Sequence, residues 1–112
     1  TYDLRTSMSE DMGHNLRKFK VDGGACANDF LLEFQAGLMD MPLYRPVCIE
    51  TTSLGAAYLA GLATGYWEST EDIISNWQID CIFQPEMTKE YRQELLDGWH
   101  KAVKCTFGWA RD

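Results

Sequence analysis

The feature that most constrains the fold of this chain is a strand-like run that stops at two consecutive glycines. Residues 19–22 (Phe-Lys-Val-Asp) have the composition of a short β-strand, and Gly23 and Gly24 follow directly. From Asn28 to Met39, apolar residues recur at intervals of three and four, which is the spacing of an amphipathic helix. A strand that passes through a glycine turn into a helix is typical of α/β proteins.

The rest of the chain continues this alternation of helices and short strands. Hydrophobic spacing, glycines and prolines predict helices at 1–11, 28–39, 53–63, 69–77 and 88–107, strands at 19–22 and 43–49, and an extended segment at 80–83. Gly13 is the predicted end of the first helix. The fold class is therefore α/β, with helices alternating with two short parallel strands and a C-terminal helical extension.

Two of the predicted helices have distinctive faces. The helix at 53–63 is almost wholly small and apolar, so we expect it to pack on several sides. The last helix carries an apolar stripe formed by Tyr91, Leu95, Trp99, Ala102, Val103 and Phe107. In the helix at 28–39, Gly37 is expected to lower stability by up to ~1 kcal/mol relative to alanine.

The predicted elements are too few for a complete domain. Two strands cannot form a stable sheet that helices cover on both faces. The chain also begins with Thr1 and has no apolar signal region at its start. We therefore expect the chain to be a piece of a longer protein.

Composition narrows the class of function. The 112 residues are 46% hydrophobic and carry a net charge of −7, so the chain is not a disordered one. An acidic balance disfavours nucleic-acid binding, which draws on excess Lys and Arg. Nothing approaches the run of ~20 apolar residues that a membrane span requires.

The cysteines do not form a recognisable metal motif. They are far apart in the sequence, no CxxC pair occurs, and neither histidine lies near a cysteine at ligand spacing, so no zinc site is expected. Because the number of cysteines is even, a framework of disulfide bonds stays open as an alternative. We favour reduced, mostly buried thiols in a cytoplasmic protein. The four residues are Cys26, Cys48, Cys81 and Cys105.

The segment around the two glycines is the candidate site. Glycine leaves no side chain between the backbone and a ligand, and a helix start presents unpaired N–H groups. A phosphate or a planar ring can rest against such a turn, and the amide of Asn28 can bind a base or a ribose. The alternative is a plain tight turn with Asn28 as a solvated polar residue. The segment is neither a P-loop nor a complete GxGxxG motif.

Two neighbouring residues also have two interpretations each. Cys26 is either a thiol whose pKa is lowered by the helix start, or a buried and unreactive small hydrophobe. Asp22 either contacts a metal or a ribose, or it caps the turn that follows.

Several blocks of the sequence can be compared with known families. In chain order they are Asp22-Gly23-Gly24-Ala25 with Asn28 and Phe30–Ala36, Arg45-Pro46, Glu50–Ala63, Gly65-Tyr66-Trp67, Phe83-Gln84-Pro85 and Gly98–Val103. With this order and spacing the chain resembles the C-terminal domain of the FGGY carbohydrate kinases. Tyr58, Gly65-Tyr66-Trp67 and Gly98-Trp99 resemble the branch that acts on glycerol more than the xylulose or gluconate branches.

This resemblance implies an architecture. Members of the family have two actin-like (ribonuclease H-like) domains around a cleft that holds the polyol or sugar and ATP. Residues 1–112 correspond to the C-terminal part of the second, ATP-binding domain, so the fold is a partial actin-like domain. The catalytic N-terminal domain is not part of this chain.

The resemblance also implies which residues bind what. Gly24, Ala25 and Asn28 match residues that line the adenosine pocket. The base that activates glycerol, the polyol-binding residues and the phosphate loops precede this segment, so it contains no catalytic residue and no metal ligand.

The whole enzyme would use ATP with Mg²⁺, form ADP and sn-glycerol 3-phosphate, and act as a cytoplasmic homo-oligomer without nucleic acid. The isolated chain would be inactive. Two alternatives stay open, another FGGY sugar kinase of the xylulose or gluconate type and a non-catalytic interaction module.

Overall fold

A computed structural model describes residues 1–109 as an α/β protein, which confirms the predicted class. A 3₁₀ turn at Gly24–Ala27 connects the first strand to the second helix. The helices are α1 (Tyr2–Met12), α2 (Asp29–Met39), α3 (Thr51–Thr64), α4 (Thr70–Ser75) and α5 (Lys89–Cys105), and the strands are β1 (Phe19–Lys20), β2 (Leu43–Pro46) and β3 (Ile79–Phe83). Every predicted helix and strand has a counterpart.

Short polar residues and glycine set the ends of the helices. Gly13 ends α1 in the left-handed region, with φ 70°, as its position in the sequence predicts. Ser69 and Asp72 form a reciprocal capping box at the start of α4. The Thr88 hydroxyl accepts a single hydrogen bond from the Tyr91 N–H at the start of α5.

The three strands form one mixed sheet in the order β1-β2-β3. The β1 and β2 strands are parallel, with Phe19 opposite Leu43, as the sequence predicts. The segment that the sequence predicts as merely extended is a third strand, and it runs antiparallel to β2 with Phe83 opposite Leu43. The sheet is therefore larger than predicted, and Leu43 lies at its centre.

The core lies between α2 and one face of this sheet. Ala36 and Met39 of α2 are buried against Leu43 and Phe83 of the strands. Successive residues of a strand face opposite sides, so the other face carries Lys20, Tyr44 and Ile82. Ile82 is 40% exposed, and the core is therefore one-sided.

The prediction that the helix at 53–63 packs on several sides is wrong for this chain. In α3 the only buried residue is Gly61, and Leu59 is 71% exposed, so this apolar helix does not pack on several sides. In α5 the buried residue is Leu96, and Trp99 and Phe107 of the apolar stripe are more than half exposed. The reason is that no other element covers these faces within residues 1–109.

The dimensions of the molecule reflect these uncovered faces. Its accessible surface is 8402 Å², about a third more than the ~6,300 Å² of a compact chain of this mass. Its radius of gyration is 18.1 Å, against about 13 Å for a compact chain of the same length. No helix among residues 1–109 has both the length and the apolar character to cross a membrane.

The structure gives a packing reason for the glycine at position 37, besides its effect on helix stability. This glycine is buried on α2 beneath the segment that leads into α5, and a Cβ placed on it would lie 2.8 Å from the Cβ of Met87. Arg92 of α5 reinforces the contact, because its Nε donates a hydrogen bond of 2.7 Å to the Gly37 carbonyl. The missing side chain therefore permits a close approach.

The exposed apolar faces predict that the isolated chain self-associates or binds hydrophobic dyes. Contiguous apolar patches beyond a few hundred Å² rarely remain uncovered in monomers. Light scattering after gel filtration and the fluorescence of an added naphthalene sulfonate dye would measure both effects. A monodisperse monomer with a sharp thermal transition and no dye binding would contradict the expectation.

A pair of glycine substitutions tests the contact between Gly37 and Met87. Gly98→Ala in α5 introduces a Cβ with no neighbour within 4 Å, so it should stabilise the chain by about 0.5–1 kcal/mol through helix propensity. Gly37→Ala gains the same propensity but has to displace Met87, so it should lower the melting temperature. Circular dichroism at matched concentrations makes the comparison. An equal rise for both variants would show that Met87 moves aside without cost.

Candidate functional site

The candidate site begins where the chain leaves β1. Gly23 has φ 82° and ψ 166°, a conformation that L side chains rarely adopt. Its N–H donates a hydrogen bond of 2.8 Å to the carbonyl of Ile49, so the loop before α3 holds it in place. The chain then turns into the 3₁₀ turn at Gly24–Ala27.

The structure brings the three predicted site residues to one exposed surface. The first hydrogen bond of the turn runs from the Cys26 N–H to the Gly23 carbonyl, at 3.0 Å. The N–H groups of Gly24 and Ala25 precede this bond, so they have no acceptor within the turn. Asn28 follows at once, with its own N–H bonded to the Ala25 carbonyl at 3.2 Å. This surface can therefore donate hydrogen bonds to an acceptor.

Asn28 is the N-cap of α2 rather than a residue within the helix, which the sequence predicted to begin at residue 28. Its backbone is extended, with φ −91°, and its Oδ1 accepts a hydrogen bond of 3.0 Å from the Leu31 N–H. The separate 3₁₀ turn takes up residues 24–27, so α2 starts only after Asn28. Because the cap uses Oδ1, the Nδ2 group is the part of the side chain that can bind a ligand.

Cys26 is a buried thiol, which agrees with the second of its two interpretations rather than with a lowered pKa. The residue is 5% exposed, and its Sγ donates a hydrogen bond of 2.8 Å to the Asp22 carbonyl. Burial raises the pKa of this thiol, and the nearby negative charge of Asp22 adds to the effect. Desolvation outweighs the effect of the helix start here, because a single 3₁₀ turn has few aligned peptide dipoles.

The four cysteines are free thiols, but they are less buried than predicted. Only Cys26 is buried, whereas Cys81 is partly exposed and Cys48 and Cys105 are exposed. The difference follows from the uncovered faces of the molecule.

The side chain of Asp22 does not cap the turn that follows it, so the capping role that the sequence predicted is wrong. Its Oδ2 accepts a hydrogen bond from the hydroxyl of Thr51, the first residue of α3. The carboxylate therefore ties the end of β1 to the start of α3. Within residues 1–109, no three His, Cys, Asp or Glu side chains cluster in a way that could hold a metal ion.

Arg45 of β2 connects the turn to the sheet, and the sequence analysis assigned it no role. Its Nη1 donates to the Cys26 carbonyl at 2.8 Å and to Asp29 Oδ1 at 2.6 Å. Its Nε donates to Asp80 Oδ2 at 2.8 Å. The hydrogen bonds to Asp29 and then to Asp80 raise the pKa of this guanidinium. Nothing in the local sequence signals these contacts, because Cys26 lies 19 positions away.

The cavity next to the turn is lined by acidic side chains. This cavity of about 500 Å³ lies between α2 and β3, and its lining includes Asp29, Glu33 and Glu86. Three carboxylates disfavour the entry of a phosphate. An anionic ligand is therefore not expected in this cavity.

Known proteins are similar to this chain in sequence. Residues 2–64 match the model of the C-terminal domain of the FGGY family of carbohydrate kinases. Glycerol kinase 1 of Clostridium tetani is 55% identical over 111 residues, and the glycerol kinase of Agathobacter rectalis is 52% identical over 110 residues. These alignments cover 99% and 98% of this chain but 22% of each relative. The chain thus spans about a fifth of the curated relatives that it matches.

Solved structures share the fold. The crystal structure of Plasmodium falciparum glycerol kinase with ADP matches 95% of this chain and 21% of that one, with a TM-score of 0.77 and 30% identity. A ligand-bound xylulose kinase from Lactobacillus acidophilus matches 96% of this chain and 22% of that one, with a TM-score of 0.71 and 18% identity. The predicted partial actin-like fold is confirmed. Since the family model covers more than half of the chain, the chain belongs to the FGGY family of carbohydrate kinases.

Proposed function

We propose that this chain is the nucleotide-binding C-terminal part of an enzyme that transfers the γ-phosphoryl group of ATP to glycerol. The products are ADP and sn-glycerol 3-phosphate. The observation that carries the proposal is the exposed turn of Gly24, Ala25 and Asn28, in a chain that aligns with glycerol kinases over its whole length. The ADP named for the Plasmodium structure supports the choice of nucleotide.

The proposed role of the turn is to position the adenosine. Gly24 has no side chain and Ala25 has only a methyl group, so a base or a ribose can approach the backbone closely. Their N–H groups and the Nδ2 of Asn28 are donors on the same surface. Phosphoryl transfer also needs in-line alignment and a base for the attacking hydroxyl. We assign those roles, and the binding of glycerol, to residues outside this segment.

The remaining features of the proposal concern the whole enzyme. Residues 1–112 form the C-terminal part of its second domain, and the enzyme is cytoplasmic and homo-oligomeric. Free thiols and a net charge of −7 support a reducing compartment and a partner other than nucleic acid. ATP is used with Mg²⁺, and we assign the residues that hold this ion to the parts of the enzyme outside this segment.

The isolated chain should have no kinase activity, because the catalytic base and the phosphate loops are not within it. Coupled detection of ADP with ATP and glycerol would measure this, with a mock purification as the control. Glycerol-dependent ADP formation above that control would overturn the prediction.

A chimera tests the nucleotide role directly. In glycerol kinase 1 of Clostridium tetani, the 111 aligned residues would be replaced by this chain. We expect glycerol-dependent ADP formation by the chimera and none by the same relative truncated before the segment. A folded chimera that binds no ATP would favour the non-catalytic interaction module.

Two substitutions of Asn28 in the chimera separate binding from capping. Serine caps a helix about as well as asparagine but lacks the amide, whereas alanine lacks both. We expect Asn28→Ser and Asn28→Ala to raise the KM for ATP, by a few-fold to roughly tenfold for one hydrogen bond, without raising the KM for glycerol. If serine restores the normal KM for ATP, Asn28 acts only as a cap. Equal effects on both substrates would indicate a folding defect.

A further inference from the structure

Arg45 is held against the core rather than extended into solvent. It lies on the face of β2 that α2 covers, and its side chain is 14% exposed. The guanidinium carbon is 5.1 Å from the centroid of the Phe83 ring, a cation–π distance. Burial and the contact with Phe83 therefore restrict the orientation of the guanidinium, in addition to its polar partners.

One nitrogen of this guanidinium binds a backbone carbonyl before Asn28 and a side-chain carboxylate after it. Nη1 donates to the carbonyl of Cys26, within the 3₁₀ turn, and to the carboxylate of Asp29, the first residue of α2. Asn28 lies between these two attachment points. Arg45 thus fixes the junction between the turn and α2, where the Asn28 side chain leaves the backbone.

The other side of the guanidinium is held by an irregularity in the sheet. Arg45 pairs with Cys81 and Pro46 pairs with Ile79, so Asp80 is an extra residue on β3. Such bulges re-aim side chains. Here the carboxylate of Asp80 accepts the Nε–H of Arg45 at 2.8 Å, so the plane of the guanidinium is fixed from β3.

These contacts contribute more to geometry than to stability. Asp29 and Asp80 are 66% and 48% exposed, and ion pairs with exposed carboxylates are screened and weak. The bond to the Cys26 carbonyl, in contrast, fixes a backbone atom of the turn itself.

We infer that Arg45 is a positioning residue for nucleotide binding, which acts by holding the Gly24–Ala27 turn and Asn28 in their binding geometry. The inference rests on the proposed function, since it assigns a support to the same adenosine site. Arg45 itself does not contact the nucleotide.

The chain contains a matched control at the opposite end of α2. Arg92 also has a side chain that is 14% exposed, and it also makes three hydrogen bonds, to the carbonyls of Gly37 and Met87 and to Asp40. Its partners lie at the end of α2 far from the turn. Loss of Arg92 should therefore affect packing but not nucleotide binding.

The experiment compares Arg45→Met and Arg92→Met in the chimera, with ADP affinity by titration calorimetry, melting temperature and steady-state kinetics as readouts. If the turn is in its binding geometry for only a third to a tenth of the time without Arg45, ADP binding weakens about three- to tenfold. The KM for ATP should rise by the same factor, with kcat and the KM for glycerol unchanged. Arg92→Met should lower the melting temperature at least as much but keep ADP affinity within about twofold.

The Arg45→Lys variant provides a second test in case Arg45→Met does not fold. Lysine keeps the charge but cannot bond three acceptors in one plane, so it should give an intermediate ADP affinity with a near-normal melting temperature. Unchanged ADP affinity in Arg45→Met would overturn the inference, as would an equal loss in Arg92→Met. If Asn28→Ser weakens ADP binding and Arg45→Met does not, only the positioning role fails. If neither variant changes ADP binding, the adenosine site itself is wrong.

Discussion

The packing of α2 on the short mixed sheet is the contact on which the rest of this structure depends. Ala36 is completely buried, and its small side chain lets α2 lie close to Leu43 at the centre of the sheet. Because α2 begins directly after the glycine turn, the position of the helix also sets the position of the turn. A change in this packing would therefore alter the candidate site as well as the core.

Arginines complete the attachment of α2 where its apolar contacts end. Arg45 reaches its first turn from β2, and Arg92 reaches its last turn from α5. Each donates to a backbone carbonyl, which requires a defined geometry that hydrophobic contacts alone do not impose. One arginine therefore holds the end of the helix next to the proposed adenosine site, and the other holds the end that packs near α5.

The exposed apolar faces of α3 and α5 are consistent with the size of the relatives. A chain that spans about a fifth of those kinases can bury only one face of its sheet with its own helices. The strongly apolar α3, with Leu59 71% exposed, is then a surface on which further parts of a longer chain are expected to pack. The same features explain the large accessible surface and the exposed Cys48 and Cys105.

Local sequence patterns predict the helices, the parallel pair of strands and the glycine turn, because spacing of three and four residues, caps and glycines act over short distances. The sequence also placed Gly24, Ala25 and Asn28 together, since they are nearly adjacent. The folded chain was needed to show that β3 joins the sheet, that burial raises the pKa of Cys26, and that Arg45 binds the turn. Those outcomes depend on which distant segments meet. Arg45 and Asp80 are 35 positions apart, and no local pattern of residues records that they touch.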